Sequence, residues 1–291
     1  SDSGSVAVAD LNTLDDKTTG IINVSSVSTI IGSINPSMDS VIHMIGDILS
    51  SEIGTLYSST SFEGLGNENI ILTDSGVIST LLITAQSYTT GNIDASSLTT
   101  ITGTASELKT VYASSGITGL GNEAITLSDS GSVAAADLNT LDAFTTGAIT
   151  ASAVTTITGT VAALNTVYAS SGISGLGNEA ITLSDSSVDA AILNTLDAYT
   201  SGAINAASIT TLTGSTSAQA TARASSGIIN LVGSGGGSIV SNDETVIDSS
   251  VTASYLNTLD ADTNGTVDAS TVMTITGTFA DINTVYASSG I

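Results

Sequence analysis

The sequence predicts an α/β repeat solenoid, in which short helices alternate with short parallel strands from one coil to the next. The first supporting observation is strong internal self-similarity at a nearly fixed period. The second is a helical spacing of apolar residues in one part of each repeat, and the third is an alternation of apolar residues with Thr in another part. The 291 residues are 41% hydrophobic, so the chain can bury a substantial core.

Three motifs define the repeat: LNTLDAFTTG at 138–147, TVYASSG at 110–116 and GLGNE at 119–123. Leu82, Leu138 and Leu193 begin successive copies of the first motif at nearly equal intervals. Each repeat contains a second, weaker copy of its own pattern, which halves the period to coils of about 28 residues. We therefore expect a single continuous array with five repeats, at roughly 1–72, 73–127, 128–183, 184–246 and 247–291.

Two segments interrupt this period. Residues 32–47 form a predicted insertion that contains the only proline, Pro36, and the only histidine, His43. Residues 228–247 are an irregular Gly-rich segment that stands where the first three repeats carry GLGNE. We predict a surface insertion or extended coil for the first segment and a flexible loop within the second.

The helix of each coil is predicted from the spacing of its apolar residues. Within 132–144, apolar residues recur at i, i+4 and i+7, Asp129 or Ser132 is placed to cap the start, and Gly147 to end the helix. Thr104 and Glu107 form a capping box at the start of another helix.

The strands are predicted from short runs at 124–127, 148–151 and 155–158, in which apolar residues alternate with Thr. An all-β solenoid is the alternative, with LNTLDA forming a strand and a corner, because Asn and Thr are mediocre helix formers. The Ala-rich helix starts and the capping boxes favour the α/β form.

The charge balance excludes several function classes. Three Lys+Arg against 27 Asp+Glu cannot form a phosphate-binding surface, so we expect no nucleic-acid partner and no attraction to anionic membranes. The chain has no Cys for thiol chemistry and no run of 18 apolar residues for a membrane span. Every distinctive residue recurs several times, whereas a catalytic site is one constellation, so we do not expect an enzyme.

The acidic residues occupy repeated positions that suit either helix capping or Ca²⁺, a cation that takes six to eight oxygen ligands. One set follows a strand and precedes a helix, a second lies in LNTLD, and a third lies in GLGNE. The candidate Ca²⁺ ligands are Asp74, Asp129, Asp185 and Asp248 in the first set, Asp142, Asp197 and Asp260 in the second, and Glu123 and Glu179 in the third. No other cofactor is expected.

The tyrosines of TVYASSG also recur, at Tyr112, Tyr168 and Tyr286. Aromatic stacking in or beside the core is the expected role, and a row of sugar-binding rings is the alternative. The LNT asparagines are expected to satisfy backbone groups at turns.

The phrases LNTLDAxTTG, VDASxVxTITGT, LNTVYASSGI and GLGNEAITLSD resemble repeats in giant secreted cell-surface proteins of marine cyanobacteria. The resemblance covers essentially the whole chain except 32–47 and 228–247. It implies an extracellular structural module for adhesion, a surface layer or a fibre. A surface that binds glycans or a partner cell is the alternative, and a polysaccharide-acting enzyme the least favoured.

Neither end of the chain resembles a polar capping repeat, which a free-standing solenoid needs. We therefore expect an interior stretch of a longer array, or a subunit that assembles with itself head to tail or side by side.

Overall fold

The computed structural model describes residues 4–35, 52–231, 243–263 and 265–291. Most of the predicted insertion, including Pro36 and His43, and the GSGGGS stretch at 233–238 lie outside these residues. The chain divides into two compact units: one contains Ser1–Asp129, Thr140–Ala153 and Gly172–Ser174, and the other contains Ser130–Asn139, Val154–Ser171 and Gly175–Ile291.

Short helices alternate with short parallel strands throughout the described residues, so the α/β repeat class is confirmed and the all-β alternative is not supported. The helices are α1 (Val8–Asp15), α2 (Glu52–Ser58), α3 (Ser79–Gln86), α4 (Ala105–Ala113), α5 (Ala135–Phe144), α6 (Val161–Ala169), α7 (Ala190–Asp197), α8 (Thr216–Ala224), α9 (Ala253–Asp262) and α10 (Phe279–Ala287).

The strands contain two to four residues each. They are β1 (Ser5–Ala7), β2 (Ile22–Asn23), β3 (Thr29–Gly32), β4 (Phe62–Glu63), β5 (Asn69–Leu72), β6 (Gly76–Ile78), β7 (Ile93–Asp94), β8 (Thr100–Gly103), β9 (Ile117–Thr118), β10 (Ala124–Leu127), β11 (Ser132–Ala134), β12 (Ile149–Thr150), β13 (Thr156–Gly159), β14 (Ile173–Ser174), β15 (Ala180–Leu183), β16 (Ser187–Asp189), β17 (Ile204–Asn205), β18 (Thr211–Gly214), β19 (Ile228–Ile229), β20 (Asp243–Val246), β21 (Ser250–Thr252), β22 (Val267–Asp268) and β23 (Thr274–Thr276).

The helix predicted over 132–144 begins later than expected, because β11 occupies its first positions and α5 starts at Ala135. The capping box is confirmed: the Thr104 side chain accepts from the Glu107 backbone N–H, and the Glu107 side chain accepts from the Thr104 backbone N–H. Asp129 does not cap α5 as predicted; its carboxylate accepts from Ala105 N at the start of α4.

Each compact unit builds its own parallel sheets. The first unit contains the sheets β1-β3-β5-β7-β9 and β14-β12-β10-β8-β6 and the pair β2-β4. The second unit contains β11-β13-β15-β17-β19, β16-β18-β20-β22 and the pair β21-β23. Every crossover between paired strands carries an intervening helix or turn, as parallel pairing requires.

The strands repeat at a shorter period than the predicted coil. Ile125 pairs with Ile101 on one side and with Ile149 on the other, so fewer residues separate paired strands than the coil length predicts. The helices instead begin at Ala135, Val161 and Ala190, and their mean spacing matches the predicted coil. Along a sheet, each successive strand therefore lies closer in sequence to the helix that precedes it. As a result, one sheet pairs strands that come from different positions in the repeat motif.

Apolar columns form the core because alternate strand residues point to one face of a sheet. Ile101, Ile125 and Ile149 are fully buried in one sheet, and Leu138 and Leu164 are fully buried on the helices. Burying each such side chain contributes about 1.5–3 kcal/mol, so the repeated Ile and Leu positions supply much of the folding free energy.

Candidate functional site

A half-buried tyrosine hydrogen-bonded to a buried glutamate recurs in the first three repeats. In the second repeat, the hydroxyl of Tyr112 near the end of α4 donates to Glu123 Oε2 over 2.9 Å. The backbone N–H of Gly121 donates to the same carboxylate over 3.0 Å. The Tyr–Glu sites, as we name these pairs, comprise Tyr57 with Glu68, Tyr112 with Glu123, and Tyr168 with Glu179.

The GLGNE motif folds into a loop that turns its glutamate inward. Gly119 and Gly121 both have positive φ, at 83° and 130°, a region that glycine occupies without strain. A Cβ on Gly119 would lie 2.7 Å from the backbone N of Ser96, so a larger residue would also collide. Glu123 is fully buried as a result, directly before β10.

The TTG end of the LNTLD motif closes the same site from the following repeat. Thr145 Oγ1 donates to the backbone oxygen of Glu123 over 2.7 Å, and Gly147 N donates to Thr145 Oγ1 over 2.9 Å. A Cβ on Gly147 would lie 2.2 Å from that backbone oxygen. The glycine predicted to end the helix is thus required for a close backbone approach to the Tyr–Glu site.

Each tyrosine ring of the Tyr–Glu sites also stacks on an aromatic ring of the following repeat, which confirms the stacking prediction for Tyr112 and Tyr168 but not for Tyr286, which is exposed. The ring centroids lie 5.0 Å apart for Tyr57 and Tyr88, and 5.4 Å apart for Tyr112 and Phe144. Burial raises the pKa of Tyr112 above its ordinary value, and the neighbouring Glu123 raises it further. The hydroxyl therefore stays protonated at neutral pH and acts as a donor.

Sequence reasoning places Glu123 and Glu179 among candidate metal ligands and the tyrosines in a separate row. The structure brings the two sets together. The signal was available, because the same separation of 11 residues links Tyr to Glu in all three sites.

The first set of aspartates caps helices of the preceding coil. Asp129 accepts from Ala105 N over 2.8 Å, Asp185 from Val161 N over 2.7 Å, and Asp248 from Thr216 N over 2.6 Å. These donors are the first residues of α4, α6 and α8, where N–H groups lack a partner within the helix and the helix dipole favours negative charge. Asp74 accepts from Ile34 N over 2.9 Å at the corresponding motif position.

The second set lies near helix ends and binds serine hydroxyls. Asp197 accepts from Ser225 Oγ over 2.6 Å, and Asp260 accepts from Ser288 Oγ over 2.8 Å. Each serine lies 28 residues further along the chain. Asp142 occupies the same motif position in α5.

The LNT asparagines lie inside helices rather than at turns, which corrects the prediction. Asn139 Nδ2 donates to the backbone oxygen of Ala163 over 3.0 Å, and Asn194 Nδ2 donates to that of Ala218 over 2.9 Å. These bonds link a helix to its successor. Within the described residues, no group of three or more His, Cys, Asp or Glu side chains is placed to hold a metal ion.

The fourth repeat replaces the Tyr–Glu site with different polar groups. Arg223 stands at the tyrosine position and forms an ion pair with Glu244, which is fully buried. Strand register puts Glu244 opposite Leu212, the place that Ile181 takes opposite Ile157. Burial raises the pKa of Glu244, and Arg223 opposes that effect.

A further core substitution accompanies this ion pair. Gln219 stands where the third repeat has Leu164, and its side-chain amide donates to the backbone oxygen of Thr245 over 2.9 Å. The sequence does not point to Gln219, Arg223 and Glu244, because each stands at a repeat position where the other repeats have a different residue.

Across 4–35, 52–231, 243–263 and 265–291, no helix has the length and apolarity to cross a membrane. Comparison with known proteins found no matching family model, no matching curated protein and no matching solved structure.

Proposed function

We propose that this chain is a structural repeat module of an extracellular surface protein or fibre, built as a solenoid whose coils are tied to one another by side-chain hydrogen bonds. The observation that carries the proposal is the recurrence of the same bonds between successive coils. Asp129, Asp185 and Asp248 each bind backbone N–H groups of an earlier coil, 24 or 32 residues away.

The recurring polar side chains are engaged in structure. The hydroxyls of Tyr57, Tyr112 and Tyr168 donate to buried glutamates, and the amides of Asn139 and Asn194 donate to helix carbonyls. A sugar would bind a tyrosine through an open ring face or a free hydroxyl, whereas these three rings are stacked and their hydroxyls are bonded, so these three tyrosines give the glycan alternative no support. A mechanical role needs only that each coil hold the next, because repeat proteins gain stability from nearest-neighbour interfaces.

The resemblance to secreted surface repeats supports the extracellular assignment. The absence of Cys and the excess of acidic residues suit an exposed protein in a salt-rich medium, where charge repulsion is screened. Length would then be set by the number of coils, as in other repeat arrays.

Self-association is proposed for the face of the last repeat. Phe279 of α10 is 87% exposed, whereas Val161, at the same position of α6, is 3% exposed. Tyr286 is exposed too, although Tyr112 at its position is half-buried. We propose that this surface stacks on a second copy of the chain.

Light scattering with electron microscopy of the purified chain tests the assembly. We expect concentration-dependent oligomers or filaments, and we expect Phe279→Asp to reduce them. Ile192→Asp is the matched control, because Ile192 is a half-exposed apolar residue on α7. A chain that stayed monomeric at every concentration would exclude self-assembly, and strong binding on a glycan array would favour the adhesin alternative.

A further inference from the structure

An aromatic stack accompanies each Tyr–Glu site, but the next pair of corresponding positions, after the third repeat, carries no aromatic residue. Tyr168 stacks on Tyr199 with ring centroids 5.6 Å apart. At the corresponding positions of the next pair of repeats stand Arg223 and Asp262. Two flat rings are therefore replaced by a guanidinium group and a short carboxylate.

A surface cavity of about 240 Å³ occupies this place. Both replaced positions line it, together with residues of α8 and α9. Among the described residues, its lining comprises Ala220, Arg223, Ala224, Tyr255, Thr258, Leu259 and Asp262. An apolar cavity of about 150 Å³ already accommodates a benzene ring, so the space suffices for one ring with a short substituent.

The cavity walls have distinct chemistry. Ala220, Ala224 and Leu259 offer apolar surface, and Tyr255 offers an aromatic ring. The guanidinium of Arg223 is a plane on which an aromatic ring can stack. These walls favour a flat ring, as the stacked tyrosines of the earlier repeats do.

The charge of the cavity favours a cationic substituent. Arg223 is nine-tenths buried and its charge is paired with Glu244. Asp262 is exposed and remains as the carboxylate at the cavity. An ammonium group would pair with Asp262 and gain from the tyrosine ring nearby. The formal net charge of −24 further favours a cation over an anion.

We propose that this cavity binds a small arylalkylamine, with its ring against Arg223 and the apolar wall and its ammonium group on Asp262. The proposal rests on the break in the repeat and the cavity, and it is independent of the structural role proposed above. A mechanical module would thus carry one binding site where its repetition fails.

Isothermal titration calorimetry with tyramine tests the proposal on the intact chain. The matched ligand is 3-(4-hydroxyphenyl)propionate, which has the same phenol but a carboxylate in place of the ammonium group. We expect tyramine to bind with one-to-one stoichiometry and the propionate to bind at least about tenfold more weakly. Equal binding of both, or binding of neither, would overturn the proposal, as would binding of a methyl glycoside in preference to tyramine.

Three variants locate the site. Asp262→Asn should weaken tyramine binding at least about tenfold, because it removes the carboxylate charge. Asp262→Tyr restores the ring present at Tyr199 and should abolish binding by filling the cavity. Asp10→Asn removes one charge from exposed α1 and should leave binding unchanged. If Asp10→Asn and Asp262→Asn weakened binding equally, tyramine would be responding to net charge and the site would be wrong.

Discussion

The hydroxyl of Tyr112 donates a hydrogen bond to Glu123 Oε2 over 2.9 Å, although Glu123 is fully buried. An acidic side chain in an apolar core is costly unless its oxygens are hydrogen-bonded. Tyr112 and Gly121 N supply donors to this carboxylate, and the same donors recur at Glu68 and Glu179. The tyrosine hydroxyl is therefore part of what allows the acid to be buried.

Tyr112→Phe should lower the free energy of unfolding by about 1–3 kcal/mol, because a buried acceptor loses a donor while the ring is kept. Urea unfolding followed by circular dichroism measures the change. Tyr199→Phe makes the same chemical change at a ring that is 40% exposed, and it should cost less than about 0.5 kcal/mol. Equal losses in the two variants would show that the Tyr–Glu bond contributes nothing.

Local signals predict the helices well, whereas the contacts between coils are not predictable from them. The capping box of Thr104 and Glu107 depends on residues one helical turn apart, so the sequence contains the whole motif. The partner of Asp129 depends on which coil lies beside it. Motif spacing reports the longer period of the helices, but the strands pair at a shorter one, and this difference brings Asp129 to the earlier helix α4.

The aspartates that cap helices of the preceding coil should be individually important. Asp185→Ala removes an acceptor for Val161 N at the start of α6 and should cost about 1 kcal/mol of unfolding free energy. Asp10→Ala, on the exposed side of α1, is the control and should stay within about 0.5 kcal/mol of the parent protein. Identical unfolding midpoints for both variants would contradict the capping role.

The same aspartates are candidate Ca²⁺ ligands, and we predict that Ca²⁺ does not change the stability they provide. Because Asp129, Asp185 and Asp248 already accept backbone N–H groups, we expect their structural role to persist without metal. The thermal midpoint should therefore be the same in EGTA and in millimolar Ca²⁺. A midpoint that rose with Ca²⁺ and fell again in EGTA, while Mg²⁺ had no effect, would establish the ion as a stabilising ligand.

The capping box should make stability sensitive to acid. The Thr104 backbone N–H is the main cause that holds the pKa of Glu107 below its ordinary value, and the Ser79 hydroxyl adds to it. A lowered pKa in the folded state means that the stabilisation is present above the unfolded pKa and is lost as pH falls through the folded one.

Glu107→Gln keeps an acceptor in the capping box but removes this titration. The parent protein should be more stable than the variant at about pH 6, and the difference should shrink as pH falls towards about 2. Thermal midpoints across that range measure it. A difference that stayed constant with pH would show that the ionisation of Glu107 is not coupled to folding.

The buried ion pair of Arg223 and Glu244 should behave as a unit. Glu244→Ile leaves a guanidinium buried without its carboxylate, and Arg223→Tyr leaves the carboxylate without its guanidinium. Each single change should cost about 3–5 kcal/mol, because an uncompensated charge remains in the core. The double variant returns both positions to the residues of the third repeat, Tyr168 and Ile181, and should be as stable as the parent protein or more so.

Urea unfolding of the four proteins completes a double-mutant cycle. The expected interaction energy is large, because each single variant should lose stability whereas the double variant should not. Additive losses would mean that the two charges are held independently, by water or by other groups. Because Arg223 also lines the cavity, tyramine binding to the double variant separates the roles: the ion pair is lost, but a tyrosine ring of the kind that stacks in the earlier repeats replaces the guanidinium plane, so folding and tyramine binding should both be preserved.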